Sequence, residues 1–106
     1  LTISAEEQVD FLRRLRGERL PVSTRSIDIL REIMVYEQKG DAVMYAKTGW
    51  ALRKGANVGW LVGWIERDGS ASYFAMNITG AADDMDVPRK RVTILRAILR
   101  ELQVWQ

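Results

Sequence analysis

The sequence predicts an α+β fold with two helices, a three-stranded antiparallel meander and a closing C-terminal helix. Three observations support this prediction. Apolar residues recur at helical spacing before Gly40, the period changes to two from Ala42, and helical spacing returns after Pro88. The chain has 106 residues, of which 47% are hydrophobic, so residues 1–106 are expected to form at most one domain.

The first helix is predicted to begin at a capping box. In Ser4-Ala5-Glu6-Glu7, the hydroxyl of Ser4 can accept a hydrogen bond from the third helical amide, and Glu7 can reach back to the cap. An amphipathic segment follows and is expected to stop near Gly17. Its apolar positions are Phe11, Leu12 and Leu15.

The second helix is expected to follow Pro21, with Ser23 or Ser26 as its cap. This stretch is predicted to end at Gly40-Asp41. Its apolar stripe consists of Ile27, Leu30, Ile33 and Met34.

Three strands are predicted in the middle of the chain. The first runs from Ala42 into Gly49, and a loop at Lys54–Asn57 leads to the second strand, Val58–Glu66. Asp68-Gly69 is a strong hairpin signal, and Ala71–Thr79 would be the returning strand.

The second predicted strand has one bulky and one flat face. Glycine weakens a strand, so Gly59 and Gly63 on the same face indicate that another element approaches closely, and we expect a helix there. The opposite face carries Val58, Trp60, Val62 and Trp64. We expect Trp60 and Trp64 to be core residues rather than ligand contacts.

The last helix is predicted from Pro88, which suits a first helical turn, to about Gln103. Arg91 stands four residues before Leu95, so it extends the apolar stripe of this helix at the end nearest the sheet. The stripe consists of Val92, Leu95, Ile98, Leu99 and Leu102.

Composition excludes several kinds of chemistry. Sixteen Lys and Arg against fourteen Asp and Glu give a net charge of +2, which is too weak to indicate nucleic-acid binding. The chain contains neither Cys nor His, so it offers no thiolate nucleophile, no imidazole base and no zinc site built on sulfur or nitrogen ligands. Acid–base chemistry would therefore fall to Lys, Tyr or carboxylates. No apolar run is long enough to span a bilayer, and no signal peptide is evident.

A specific combination of motifs resembles a known family. Lys47-Thr48-Gly49 on a strand is followed by "VGWLVGWIE", an Asp-Gly hairpin, "YFAMNI" and a closing helix. In this order, the motifs resemble the C-terminal portion of a class D serine β-lactamase, a member of the penicillin-recognising active-site serine family. The resemblance covers essentially the whole chain, from "LTISAEEQVDFLRRL" onward. It implies a β-lactamase/transpeptidase-like fold and hydrolysis of β-lactam antibiotics through a serine acyl-enzyme.

The resemblance also implies roles for particular residues. The strand that bears the triplet would form one wall of the active site. Lys47 and Thr48 would face the carboxylate and acyl group of a bound β-lactam, and Gly49 would keep that wall open. The backbone N–H of Trp50 would be one donor of the oxyanion hole, and Arg91 would receive the substrate carboxylate. An ammonium, a hydroxyl and a guanidinium can all bind a carboxylate through charge-assisted hydrogen bonds.

The chain lacks two motifs of the family. The nucleophile of the family lies in Ser-x-x-Lys, and a second motif, Ser-x-Val or Ser-x-Ile, precedes the triplet; neither occurs here. The lysine of the first motif is N-carboxylated by CO2 in the family, so no cofactor is expected in this segment. We therefore expect the chain to be the C-terminal segment of a longer polypeptide, with the nucleophile-bearing N-terminal segment as its partner.

Other interpretations remain open from the sequence. Lys47 can be a solvated strand-end lysine, and Arg91 can be a long side chain that covers apolar surface. The chain can belong to the β-lactam sensor domain of a membrane receptor, or to a non-catalytic binding module for nucleic acid. The module is disfavoured because Asp83, Asp84 and Asp86 adjoin the basic final helix. Family resemblance implies a periplasmic protein. The short apolar runs and the weak net charge predict neither a membrane span nor a nucleic-acid partner, and a homodimer stays open.

Overall fold

The computed structural model describes residues 4–17, 21–53, 55–81 and 90–105, and for residues 51–53 it describes the backbone alone. The predictions made for Pro88 and for the acidic residues Asp83, Asp84 and Asp86 lie outside these ranges. The described elements are α1 (Ala5–Arg16), α2 (Thr24–Met34), β1 (Val35–Lys39), β2 (Ala42–Arg53), β3 (Ala56–Arg67), β4 (Ser70–Ala81) and α3 (Arg91–Glu101).

The predicted α+β class is confirmed, and the sheet has one strand more than predicted. Within the described residues the sheet has four strands in the order β1-β2-β3-β4, so the predicted meander is extended by β1 at its edge. The prediction had continued the helical stretch to Gly40, but α2 ends at Met34. Val35 and Tyr36 have side chains that favour strands, and pairing with β2 outweighs the preceding helical pattern. β1 runs antiparallel to β2, from Val35 opposite Tyr45 to Lys39 opposite Ala42.

The predicted caps of the first two helices are confirmed. Glu7 N donates to Ser4 Oγ, and Ser4 N donates to Glu7 Oε1, each over 3.1 Å, which completes the capping box. α1 is followed by Gly17, whose N–H donates to the carbonyl of Arg13. Ser23, the first of the two predicted alternatives, caps α2 by accepting from Ser26 N.

The strands are longer than predicted. β2 continues past Gly49 to Arg53, and β3 already begins at Ala56, so Asn57 lies in a strand and not in the predicted loop. The predicted hairpin is confirmed, because Asp68 and Gly69 both adopt positive φ (53° and 78°), as a type I′ turn requires.

The chain divides into two compact units. The first consists of Leu1–Lys47 with Val62–Phe74, and the second consists of Thr48–Leu61 with Ala75–Gln106.

In the first unit, the core forms around Trp64, which is fully buried as predicted. Tyr45 stacks on its indole, with ring centroids 4.7 Å apart. The apolar stripes of α1 and α2 are only partly confirmed, because Phe11, Leu30 and Ile33 are exposed. The helical residues that do enter this core are Leu12, Leu15, Ile27 and Met34.

Gly63 lies where no side chain fits. A Cβ at this position would collide with the carbonyl oxygen of Tyr45 and would stand 2.9 Å from both Ala46 Cα and Phe74 Cζ. The prediction of a close approach is therefore correct at Gly63, but the approaching element is the neighbouring strand β2 and not a helix.

Glu66 attaches both N-terminal helices to β3 in the first unit. Its Oε1 accepts from Arg16 Nε of α1 at 2.9 Å, from Arg31 Nη2 of α2 at 3.0 Å and from Trp64 Nε1 at 3.0 Å. Burial alone would lower the pKa of Arg16, but its hydrogen bonds with Glu66 and Tyr73 outweigh burial and raise that pKa above its ordinary value. Arg16 therefore stays charged, and the two helices share one carboxylate on the sheet.

The second unit buries the inner face of α3. Leu95 and Leu99 are buried as predicted, together with Trp105 just after the helix. Ile98 and Leu102 were assigned to the same stripe but are exposed, so the buried face is narrower than the sequence suggested.

Candidate functional site

The predicted triplet lies within β2 and not at its end. Lys47 is exposed, and Thr48 and Gly49 are partly buried. Lys47 is the last residue of its stretch in the first unit, and Thr48 begins the second unit. Both Lys47 and Thr48 engage in at least one specific interaction within the chain.

Gly49 is not required by packing among the described residues. A Cβ built there meets only Trp60 Cβ, at 3.7 Å, which is an ordinary van der Waals contact. The glycine of the triplet therefore leaves a space beside β2 that a small side chain could fill without strain.

Trp50 projects from β2 with 45% of its surface exposed. Its indole is nevertheless held at one edge, because Nε1 donates a hydrogen bond of 3.0 Å to Oδ1 of Asn57 on β3. The Nδ2 of Asn57 in turn donates to the carbonyl oxygen of Ala81, the last residue of β4, over 3.1 Å. Within the second unit, one carboxamide therefore joins β2, β3 and β4 beside the triplet.

Asn57 was not predicted as a site residue, although the sequence contains a signal for it. Buried positions alternate along β3 at Gly59, Leu61, Gly63 and Ile65. Extending this period by two residues toward the N-terminus reaches Asn57, which is 4% exposed. A polar residue in phase with a buried face needs a hydrogen-bonding partner, so it is a candidate for a specific role.

Arg91 is the first residue of α3. It is partly buried, its Nε is shielded from solvent, and it engages in at least one specific interaction. These features agree with its predicted position at the end of the apolar stripe. The convergence of Arg91 with Lys47 and Thr48 on one groove stays a prediction.

Metal binding and membrane insertion gain no support from the described ranges. Across residues 4–17, 21–53, 55–81 and 90–105, acidic side chains do not cluster in threes in a way that could hold a metal ion. In the same part of the chain, no helix combines the length and the apolar character needed to cross a bilayer.

Comparison with known proteins identifies the family. Residues 1–100 match the model of the penicillin binding protein transpeptidase domain. Beta-lactamase OXA-48 of Klebsiella pneumoniae is 38% identical over an alignment of 109 positions, which covers 98% of this chain and 38% of that protein. Beta-lactamase OXA-2 of Salmonella typhimurium is 39% identical over 103 residues, which cover 97% of this chain and 36% of that protein.

Comparison of the fold with solved structures agrees with the sequence comparison. The crystal structure of a class D beta-lactamase from Sebaldella termitidis superposes with a TM-score of 0.91 at 31% identity, covering 100% of this chain and 44% of that one. The chain therefore belongs to the penicillin-binding-protein transpeptidase domain family. Within that family it is similar to the two beta-lactamases and to the class D beta-lactamase named above, and it spans well under half the length of the curated relatives that it matches.

Proposed function

We propose that the chain supplies the substrate-binding and oxyanion wall of a class D serine β-lactamase, which hydrolyses β-lactams through a serine acyl-enzyme. The observation that carries the proposal is the Lys47-Thr48-Gly49 triplet on β2, a central strand of the described sheet, in a chain of this family.

Lys47 and Thr48 would bind the anionic end of the substrate. A penicillin carries a carboxylate, and an ammonium and a hydroxyl on adjacent residues can both donate to it. Gly49 would let the lactam approach the strand, and the open space at this residue, where packing would accept a Cβ, supports that role.

Trp50 would stabilise the tetrahedral intermediate through its backbone N–H. Opening the lactam places negative charge on the former carbonyl oxygen, and a preorganised amide directed at that oxygen is worth about 3–4 kcal/mol in comparable enzymes. The continuation of β2 to Arg53 supports this role, because a donor inside a strand is held more rigidly than one at a frayed strand end.

Arg91 would receive the substrate carboxylate together with Lys47 and Thr48. A guanidinium can bind a carboxylate in bidentate geometry, which fixes the orientation of the substrate as well as its affinity. The partial burial of Arg91 at the start of α3 supports this role, because a shielded cation interacts more strongly with an anion than a fully solvated one does.

The nucleophile would come from a segment that carries Ser-x-x-Lys, a motif that the printed sequence lacks. The lysine of that motif would act as the general base. We accordingly propose that the chain is the C-terminal segment of the domain, and that the complete protein acts in the periplasm. The described residues bind and polarise substrate, but they offer no activated serine of their own.

Turnover by the chain with and without that segment tests the proposal. The joined polypeptide, in which residues 1–106 follow a class D segment carrying Ser-x-x-Lys, should hydrolyse a chromogenic cephalosporin, whereas residues 1–106 alone should stay at background. The control is the joined polypeptide with the motif serine replaced by alanine, which should also stay at background. A single stoichiometric burst without turnover would indicate a β-lactam sensor, and steady hydrolysis by residues 1–106 alone would overturn the proposed division of roles.

A further inference from the structure

Asn57 is the one polar side chain that is buried among the residues whose side chains the structure describes. A carboxamide out of contact with water is costly unless its oxygen and nitrogen both find partners. Asn57 meets this condition by accepting from Trp50 and donating to Ala81. Its burial is therefore explained by the bridge that it makes.

The chemistry of its two partners fixes the orientation of this carboxamide. The indole Nε1 of Trp50 can only donate, and the backbone carbonyl of Ala81 can only accept. Exchanging the oxygen and nitrogen of Asn57 would place donor against donor and acceptor against acceptor. The bridge therefore has a single favourable arrangement, which holds the indole from one side.

Strand β2 holds the backbone at Trp50, but the residue before Trp50 adds no side-chain restraint. Gly49 has no side chain, and its position is not fixed by close packing, since the nearest atom to a Cβ there is 3.7 Å away. Trp50 has 45% of its surface exposed, so packing alone does not fix its rotamer. The hydrogen bond to Asn57 is therefore a specific restraint on the part of β2 that would present the oxyanion donor.

We propose that Asn57 is a positioning residue, which acts through the indole of Trp50 to hold the Trp50 backbone N–H in the direction needed by the oxyanion. This inference rests on the proposed function. An oxyanion donor acts in the transition state, so loosening it should lower kcat more than it changes KM. A residue that served stability alone would not produce this division between the two constants.

Substitutions in the joined polypeptide test the inference. Asn57→Leu retains the branched shape of the side chain but removes both hydrogen bonds, and we expect kcat to fall by about 10-fold while KM changes by less than about 3-fold. Trp50→Phe removes the indole donor, retains the backbone N–H and should have a similar effect. Asn77→Leu, at an exposed position on β4, is the matched control and should leave both constants unchanged.

The double variant decides whether Asn57 acts through Trp50. If it does, adding Asn57→Leu to Trp50→Phe should lower kcat by no more than about 2-fold beyond the single variants, because both changes break the same bond. A double variant whose loss of kcat equals the product of the two single losses would overturn the inference. An Asn57→Leu variant with a lower Tm but an unchanged kcat would do the same. If Asn57→Leu does not fold, Asn57→Ser replaces it. Trp50→Phe breaks the same hydrogen bond, so its kcat still tests the inference.

A measurement independent of activity completes the test. In 15N-labelled joined polypeptide, Trp50→Phe identifies the indole resonance of Trp50, and Asn57→Leu should shift that resonance while leaving the other indole resonances in place. An unshifted resonance would contradict the hydrogen bond and the inference with it. Absence of turnover in the unsubstituted joined polypeptide would instead reject the proposed function, on which the kinetic part of the inference depends.

Discussion

Gly49 and Gly63 lie in neighbouring strands but lack side chains for different physical reasons. At Gly63 the backbone of β2 occupies the volume that a Cβ would need, whereas at Gly49 a Cβ would meet, among the described residues, only Trp60 Cβ at an ordinary 3.7 Å. Packing therefore accounts for the first glycine, and the second requires another explanation. Access of a ligand to β2 is the explanation that the proposed function supplies.

Substitution of these two residues should separate the two reasons. Gly63→Ala forces β2 and β3 apart, because the nearest atoms at Tyr45 and Ala46 belong to the backbone and cannot rotate away. We expect a loss of about 1–3 kcal/mol in the free energy of unfolding of the joined polypeptide, measured by chemical denaturation. Gly49→Ala is the matched control, with an expected change within about 0.5 kcal/mol. Equal effects of the two substitutions would contradict the steric account.

Arg91 provides a residue-scale prediction about substrate binding. In the joined polypeptide, Arg91→Ala should weaken the binding of carboxylate-bearing β-lactams by about 1.5–3 kcal/mol, the usual range for hydrogen bonds to charged groups. Steady-state kinetics measures this through KM and kcat/KM. Arg100→Ala removes an exposed arginine from the same helix and should change neither constant. Unchanged constants for Arg91→Ala would contradict its assignment to the substrate carboxylate.

At the scale of the elements, Glu66 is the point where α1, α2 and β3 are attached to one another. One of its oxygens accepts from Arg16, Arg31 and Trp64, and Arg16 also donates to the carbonyl of Gly69 in the hairpin over 3.1 Å. The paired guanidiniums tolerate each other because the carboxylate lies between them. A neutral side chain at position 66 would leave their repulsion uncompensated.

Neutralising Glu66 should therefore destabilise the attachment of both helices. We expect Glu66→Gln to lower the free energy of unfolding by about 1–3 kcal/mol, because the hydrogen bonds of the two arginines lose their charged acceptor at a partly buried site. Denaturation of the joined polypeptide measures this loss. Glu32→Gln, at an exposed position on α2, is the control and should have little effect. A loss no greater than that of the control would mean that the shared carboxylate contributes no stability.

The sequence predicts the features that depend on neighbouring residues better than those that depend on pairing between distant strands. The Ser4 capping box and the Asp68-Gly69 turn were predicted correctly, because each depends on residues within one turn of chain. β1 was missed because its strand conformation depends on pairing with β2, which local periodicity does not reveal. Asn57 was missed for a related reason, since its partners lie on two other strands.

At the scale of the whole chain, the described residues leave several large apolar side chains exposed to solvent. Ile29 and Ile33 lie one turn apart on α2, and Ile33 is 69% exposed. The chain also matches its relatives over almost all of its own length but over only 38% of the length of OXA-48. The rest of such a protein could cover this surface, as the proposed N-terminal segment would.

Residues 1–106 alone should therefore associate in solution, whereas the joined polypeptide should be less prone to do so. Exposed apolar faces of this kind favour contact between copies, since burial is worth about 25 cal/mol per Å² of apolar surface. Sedimentation velocity at increasing concentration measures the effect for both proteins. Ile29→Ser combined with Ile33→Ser should reduce association of the isolated chain, and Thr93→Ser, at an exposed position on α3, is the control that should not. An isolated chain that remains monomeric and melts cooperatively would show that its apolar faces need no further cover.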